Sequence, residues 1–298
     1  MFRARRDGTD RDVALKVLKD AAREDPKVRE MFSTESDVAR LLDHPNLIRA
    51  FEAGDSDGRP FIAMELIEGL TLAGFQRQLR DRDLVIPPDI SLFIVTELLE
   101  GLHALHETTN EHGEALGLVH RDVTPDNVFV AFDGRVLLGD FGVTHVHAFG
   151  DASPDHVVGK LGYFAPELLG DEAFDRRSDL FSVGVVLFEL LSGERLFDVT
   201  DDDAGLALIS EARLPRLTTW WPMIDRDLEA TIQRALAKRP RDRHETAEAF
   251  AIELEAHWSR AIGNPFSLRS LVSIAAPTEA RAWASRGSLP KAVSAWPD

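Results

Sequence analysis

The segment His120-Arg121-Asp122-Val123-Thr124-Pro125-Asp126-Asn127, followed by Asp140-Phe141-Gly142, decides the interpretation of this chain. It places two acids and one amide in the order that a phosphoryl-transfer site requires. The carboxylate of Asp122 can accept a proton from a hydroxyl group, which is general base catalysis. Asn127 and Asp140 offer oxygen atoms, the ligand type that Mg²⁺ prefers alongside phosphates. The segment therefore predicts a magnesium-dependent site for phosphoryl transfer.

Further landmarks lie on both sides of this segment. The short apolar run Val13-Ala14-Leu15 ends at Lys16 and predicts a strand. Glu35 lies in a stretch with helical spacing, which His44-Pro45-Asn46 ends because proline disfavours helix for the residue before it. Four more landmarks follow downstream, namely Ala165-Pro166-Glu167, Asp179, the apolar run Val183 to Leu191, and Arg243. Their order resembles the eukaryotic-type Ser/Thr protein kinase family.

The resemblance spans residues 1–258 and implies an α+β, bilobal protein-kinase fold. A small, β-rich N-lobe is expected over residues 1–65, and a larger, helical C-lobe over residues 66–258. Residues 259–298 are rich in Ala, Ser and Pro and are predicted to form a tail with one or two short helices. An apolar fraction of 44% is sufficient for a hydrophobic core.

The resemblance also implies roles for individual residues. Asp122 is expected to accept the proton of the substrate, and Asn127 and Asp140 are expected to bind Mg²⁺. Lys16 is expected to hold the phosphates of ATP as a point charge, with Glu35 as its partner. The hinge between the lobes is expected at Glu65 to Gly69, and a methionine is expected at the back of the pocket. The residues expected to contact ATP are Ala14, Lys16, Met64, Glu65, Ile67 and Phe129.

Two elements of the C-lobe can be predicted from local patterns. Ser91 to His106 has apolar residues at helical spacing, with Ser91 as the expected N-terminal cap. Val128–Val130 and Val136–Leu138 flank Asp133-Gly134 and predict a β-hairpin.

The residues that the resemblance implies to be structural are Asp179 and the ion pair of Glu167 with Arg243.

Two positions depart from the family pattern. Thr124 stands where the family usually has lysine, and Lys160 stands where it usually has threonine. These side chains face each other across Asp122 in the family, so an exchange would keep one ammonium and one hydroxyl beside the catalytic acid. We therefore expect Thr124 and Lys160 to take part in catalysis. The alternative is that neither position retains the role that its counterpart has in the family. Bacterial kinases of the myxobacterial kind resemble this chain at both positions.

A glycine-rich phosphate-binding loop is missing before Lys16. Gly8 is the only glycine in that region, and Phe2–Arg5 resembles the second strand of the family. We expect the gene to encode a first strand and a glycine-rich loop upstream of Met1, which would make this chain N-terminally truncated. The competing interpretation is a pseudokinase that binds partners through the same fold without catalysis.

The expected activity is transfer of the ATP γ-phosphoryl group to Ser or Thr hydroxyls of proteins, in the cytoplasm. The absence of cysteine excludes disulfides and thiolate metal sites. The chain has no signal-peptide pattern at its start. Its longest apolar run is interrupted by Glu189 and is too short to cross a bilayer.

Charge indicates the kind of partner. A net charge of −17 argues against nucleic acid and anionic membrane, since both bind cationic surfaces. It is compatible with basic residues around the target Ser or Thr. Asp126 and Glu189 also match family positions that can face substrate arginines. The alternative is that the acidity serves solubility alone.

Overall fold

The computed structural model describes residues 1–5, 12–18, 24–141, 160–169, 173–197, 209, 214–222 and 224–286. Gly8, Gly142 and the last part of the predicted tail, residues 287–298, lie outside the described residues. Within the described part, a sheet-rich lobe precedes a helical lobe. No helix there is both long enough and apolar enough to cross a membrane.

The N-lobe contains an antiparallel sheet and one helix. The strands are β1 (Phe2–Arg5), β2 (Asp12–Val17), β3 (Ala50–Ser56) and β4 (Arg59–Glu65), and their order in the sheet is β1-β2-β4-β3. Helix α1 (Pro26–Leu41) packs on β3 and β4. The strand predicted around Lys16 is confirmed as β2.

Helix α1 carries Glu35 towards the sheet. The helix begins at Pro26, where the missing N–H of proline costs no hydrogen bond. The side chain of Asp25 caps it by accepting a hydrogen bond from the amide of Lys27 at 2.8 Å. Phe32 and Glu35 lie on its buried face, so the apolar side of this helix also directs a carboxylate inwards.

A second antiparallel sheet lies beside the hinge. It consists of β5 (Gly69–Thr71), β6 (Val128–Ala131) and β7 (Val136–Leu138), in that order. The pairing of β6 with β7 confirms the predicted hairpin. The amide of Ile48 donates to the carbonyl of Leu138 at 2.9 Å, which joins the chain of the N-lobe to this sheet.

Helices form the rest of the C-lobe. They are α2 (Leu72–Arg80), α3 (Pro88–His106), α4 (Arg177–Ser192), α5 (Arg226–Ala235) and α6 (Ala247–Glu255). Both α3 and α4 are buried along most of their length. Such helices are apolar on nearly all sides, which explains why the sequence of α4 is an almost continuous apolar run.

The predicted start of α3 was wrong. The helix begins at Pro88, three residues before Ser91, and the hydroxyl of Ser91 is buried with no hydrogen-bond partner among the described residues. Proline is favoured at the first helical position because its φ angle is already helical. Pro88 therefore begins the helix without a capping side chain.

Two helices of the tail pack against the hairpin of β6 and β7. They are α7 (Pro265–Ala275) and α8 (Pro277–Ser285). Trp283 of α8 is buried, with its ring 6.0 Å from that of Phe132. A Cβ atom on Gly134 would lie 2.1 Å from the carbonyl oxygen of Pro265. Gly134 also has a φ of +93°, a conformation that favours glycine. Gly134 thus permits the close approach of α7.

A buried ion pair joins two distant parts of the C-lobe. Arg243 donates to both carboxylate oxygens of Glu167, at 2.6 and 2.8 Å, and both side chains are almost fully buried. The hydroxyl of Ser178 also donates to Glu167, at 2.7 Å. The pairing predicted for these landmarks is therefore present.

We expect Arg243→Ala to lower the free energy of unfolding by about 3–5 kcal/mol, because it leaves a buried carboxylate without its partner. Urea denaturation measures this change. Arg234→Ala is the matched control, since Arg234 pairs with Glu253 at 3.0 Å on the surface, where an ion pair contributes about 0–1 kcal/mol. Equal losses in the two variants would contradict the structural role of Arg243.

Candidate active site

Lys16 lies between two carboxylates from different parts of the chain. Its Nζ donates to Oε1 of Glu35 at 2.5 Å and to Oδ1 of Asp140 at 2.6 Å. Strand β2 supplies the lysine, and α1 supplies the glutamate. The fold thus brings together three of the residues predicted from their order in the sequence.

The charges of this cluster stabilise each other. Burial by itself would lower the pKa of Lys16, but the carboxylates of Glu35 and Asp140 outweigh it and raise the pKa. Burial would likewise raise the pKa of Asp140, but the nearby ammonium of Lys16 lowers it overall. Both groups therefore remain charged at neutral pH, as a phosphate-binding lysine and a metal-binding carboxylate must.

Asp179 fixes the backbone of the segment that contains Asp122. Its carboxylate is buried and accepts hydrogen bonds from the amides of His120 and Arg121, both at 2.8 Å. Arg121 has a φ of +66°, in a region that non-glycine residues rarely occupy. The two hydrogen bonds hold this strained backbone in place, which agrees with the scaffolding role expected for Asp179.

Asp122 has one carboxylate oxygen in use and one available. Its Oδ2 accepts hydrogen bonds from Nδ2 of Asn127 at 2.8 Å and from Nζ of Lys160 at 2.5 Å. Its Oδ1 is buried and has no hydrogen-bond partner within the described residues. A buried acceptor without a partner costs free energy, so Oδ1 is suited to a hydroxyl donor from a substrate.

Of the two residues in the predicted exchange of lysine and threonine, only the lysine contacts Asp122. The ammonium of Lys160 reaches Asp122 from a position 38 residues further along the chain. Thr124 lies in the same loop as Asp122 and is buried, but its hydroxyl has no hydrogen-bond partner among the described residues. The structure thus brings Lys160 to the carboxylate and leaves the Thr124 hydroxyl without a contact to it.

Asn127 and Asp140 are suited to a metal ion bound with phosphates. The amide nitrogen of Asn127 donates to the backbone and side chain of Asp122, both at 2.8 Å, so its amide oxygen remains available. Asp140 uses Oδ1 for Lys16, and its side chain is 38% exposed. Its φ of +56° is a strained conformation of the kind that occurs at functional sites.

The residues expected to contact the adenine of ATP converge beside the hinge. Ala14 lies opposite Met64 in the register of β2 and β4. Met64, Ile67 and Phe129 pack against one small apolar cluster formed by Ile48, Ala131 and Leu137. Glu65, the last residue of β4, pairs with Arg135 at 2.9 Å. Their contacts with a nucleotide stay a prediction.

The two acids expected to face basic substrates differ in their environment. Asp126 is exposed. Glu189 is buried, and its carboxylate accepts hydrogen bonds from the hydroxyl of Tyr163 at 2.7 Å and from the amide of Leu196 at 3.4 Å. Burial raises the pKa of Glu189 above its usual range. Its carboxylate is therefore already engaged within the protein.

His106 is a structural residue of the site that sequence reasoning missed. Its Nε2 lies 2.8 Å from Oδ2 of Asp179, and both side chains are buried. The histidine ends α3, so it connects that helix to Asp179, which holds the backbone of the segment containing Asp122. The only signal in the sequence is a histidine at the end of a largely apolar helix, and this does not identify its partner.

Comparisons with known proteins agree with this geometry. A family model described as "Protein kinase domain" matches residues 1–254. A tyrosine-protein kinase of Myxococcus xanthus, MasK, is 35% identical over 260 residues, which are 85% of this chain and 39% of that protein. The serine/threonine-protein kinase PknL of Mycobacterium tuberculosis is 34% identical over 83% of this chain and 59% of its own length.

Solved structures give the same result. The kinase domain of PknI from Mycobacterium tuberculosis has a TM-score of 0.66 and 28% identity, over 86% of this chain and 88% of that one. The chain spans less than two thirds of the length of the two curated relatives above. The ordered motifs, the bilobal fold and the matched family model establish that the chain belongs to the eukaryotic-type Ser/Thr protein kinase family, which includes bacterial members.

Proposed function

We propose that this chain transfers the γ-phosphoryl group of ATP to Ser or Thr hydroxyls of protein substrates. The observation that carries the proposal is the environment of Asp122, whose Oδ2 is held by Asn127 and Lys160 while Oδ1 has no partner among the described residues. Relatives named as serine/threonine-protein kinases favour these acceptors. The relatives found in the comparisons do not favour the pseudokinase alternative, which rests on the missing glycine-rich loop alone.

In the proposed mechanism, the acceptor hydroxyl donates a hydrogen bond to Oδ1 of Asp122, which takes its proton as the oxygen attacks the γ-phosphorus of ATP. The bond between that phosphorus and the β,γ-bridging oxygen breaks, and ADP leaves with the electron pair. Asn127 and Lys160 keep the carboxylate in position through Oδ2. The ammonium of Lys160 also offsets negative charge on the group being transferred. Lys16, held by Glu35, positions the phosphates of ATP.

The metal that the family requires suits the residues present. Asn127 and Asp140 would hold Mg²⁺ through the amide oxygen and the carboxylate, which are hard oxygen ligands. Mg²⁺ would neutralise charge on the phosphates of the bound nucleotide. Lys16 fixes the orientation of Asp140 through their contact at 2.6 Å, so this carboxylate is oriented before the nucleotide binds.

We propose the cytoplasm as the place of action, because ATP is available there. The sequence predicts a preference for substrates with basic residues around the target Ser or Thr. The exposed Asp126 and the net charge of −17 still support this prediction. Glu189 supports it less, because its carboxylate is buried and hydrogen-bonded to Tyr163.

We expect Lys160→Ala to lower turnover by at least about 10²-fold, the scale of losing one preorganised electrostatic contact. The reason is that the ammonium at 2.5 Å from Asp122 is then lost from the reaction centre. Steady-state kinetics with a Ser-containing protein measure the effect, and the KM for ATP should change little. Turnover at the parental rate would show that Lys160 is only a loop lysine.

A double variant tests the proposed exchange directly. Thr124→Lys combined with Lys160→Thr should recover much of the turnover lost in Lys160→Ala, because it restores the arrangement that is common in the family. Thr124 is buried, so urea denaturation must first show that the double variant is folded. A folded double variant as slow as Lys160→Ala would mean that the lysine cannot act from position 124.

A further inference from the structure

A cavity of about 290 Å³ opens beside the loop that contains Asp122, between α2 (Leu72–Arg80) and the end of α4 (Arg177–Ser192). Thr124 and Lys160 form the part of its wall that lies next to Asp122. An acceptor segment whose hydroxyl reaches Asp122 therefore places its neighbouring residues within reach of this cavity. The groups that line it can select the sequence around the acceptor.

Three exposed arginines line this cavity. Arg77 and Arg80 lie in the last turn of α2, and Arg195 follows α4. Arg77 and Arg80 are three positions apart, so they project from the same side of the helix. None of the three guanidinium groups has a carboxylate within 4.0 Å among the described residues. Guanidinium groups bind carboxylate and phosphate through paired hydrogen bonds.

The other charges at the cavity do not cancel these arginines. Lys160 is matched by Asp122 at 2.5 Å. Glu189 is buried and hydrogen-bonded, although it also interacts with the charges of two of the arginines. The exposed carboxylates are those of Asp126 and Glu194. The exposed side chains thus carry an excess of positive charge, in a chain whose net charge is −17.

We infer that this cavity is a subsite for an anionic group of the acceptor protein, placed close in sequence to the target hydroxyl. The group is the carboxylate of an acidic residue or a phosphate already present on a neighbouring side chain. The inference rests on the proposed kinase function. It predicts the opposite charge preference to the one expected from Asp126 and Glu189.

Matched peptides test this subsite. Each contains one serine acceptor in an alanine-rich background, and glutamate, phosphoserine, arginine or alanine is placed in turn at each of the flanking positions. We expect glutamate or phosphoserine at one or two positions to raise kcat/KM by about tenfold over alanine, equivalent to about 1.4 kcal/mol. A higher rate with phosphoserine than with glutamate identifies a phosphate site, and equal rates identify a carboxylate site. Higher rates with arginine, or equal rates with all four residues, would overturn the inference.

Variants of the cavity provide the control. The triple change Arg77→Ala, Arg80→Ala, Arg195→Ala should abolish the ratio between the rates of the anionic and alanine peptides. Arg82→Ala should keep it, because Arg82 is engaged with Gln78 at 2.7 Å and does not line the cavity. A ratio that survives the triple change would overturn the inference.

Fluorescence anisotropy of labelled peptides separates this inference from the proposed function. If no peptide is phosphorylated, the proposed function fails, and peptide binding still tests the subsite. Tighter binding of the anionic peptide that is lost in the triple variant supports the subsite. Equal binding of the anionic and alanine peptides overturns it.

Discussion

The Asp140→Asn variant is expected to transfer phosphoryl groups more than about 10³-fold more slowly than the parent, because a metal-held phosphate loses several kcal/mol of charge stabilisation. The substitution keeps the size of the side chain but removes the charge that faces Mg²⁺. It also removes a charged partner of Lys16 at 2.6 Å. Transfer to a Ser-containing protein measures the rate, and calorimetry measures the binding of ATP with Mg²⁺.

Two results separate a loss of metal binding from a loss of folding. The variant should keep the thermal unfolding transition of the parent within a few degrees, since the Asp140 side chain is 38% exposed. Raising the Mg²⁺ concentration should restore part of the nucleotide binding. A variant with full transfer at ordinary Mg²⁺ would show that Asp140 does not bind the metal.

The Asp122→Ala variant is expected to lose about 10²–10⁴-fold in turnover, the range supplied by a general base. Nucleotide binding should stay close to that of the parent, because Lys16, Glu35 and Asp140 are unchanged. Asp43→Ala is a suitable control, since Asp43 is an exposed residue 3.7 Å from Arg49. Undiminished turnover in the Asp122 variant would place the activity elsewhere.

Much of the site could be predicted because its residues belong to motifs with a recognisable order. Lys16, Glu35 and Asp140 are far apart in the sequence, yet each lies next to a local pattern, and the structure brings all three together. The contact between Lys160 and Asp122 could be predicted because the family places the corresponding side chains face to face. The resemblance supplied the long-range information that local patterns lack.

The features that were missed depend on packing between distant segments. Ser91 has the residue type of a cap, but the preceding Pro88 begins the helix and leaves Ser91 inside the core. Glu189 matches a family position that faces substrates, but its burial and its bond with Tyr163 depend on how α4 packs against a distant loop. Local sequence gives residue type and spacing, and it does not give these partners.

The same limit applies to the tail. Its composition predicted one or two short helices, and the structure shows α7 (Pro265–Ala275) and α8 (Pro277–Ser285). Their attachment was not predictable, because it depends on Trp283 meeting Phe132 and on Gly134 accommodating Pro265. Arg286 then forms an ion pair at 2.6 Å with Glu68, which lies in the predicted hinge.

The identity of the phosphorylated amino acid tests the central claim most directly. The protein is incubated with labelled ATP, Mg²⁺ and a protein acceptor that contains Ser, Thr and Tyr, and the acceptor is then hydrolysed and its phosphoamino acids are separated. The proposed function predicts phosphoserine or phosphothreonine, and their loss with the Asp122→Ala variant. Label on tyrosine alone, or no label on any hydroxyl, would contradict it.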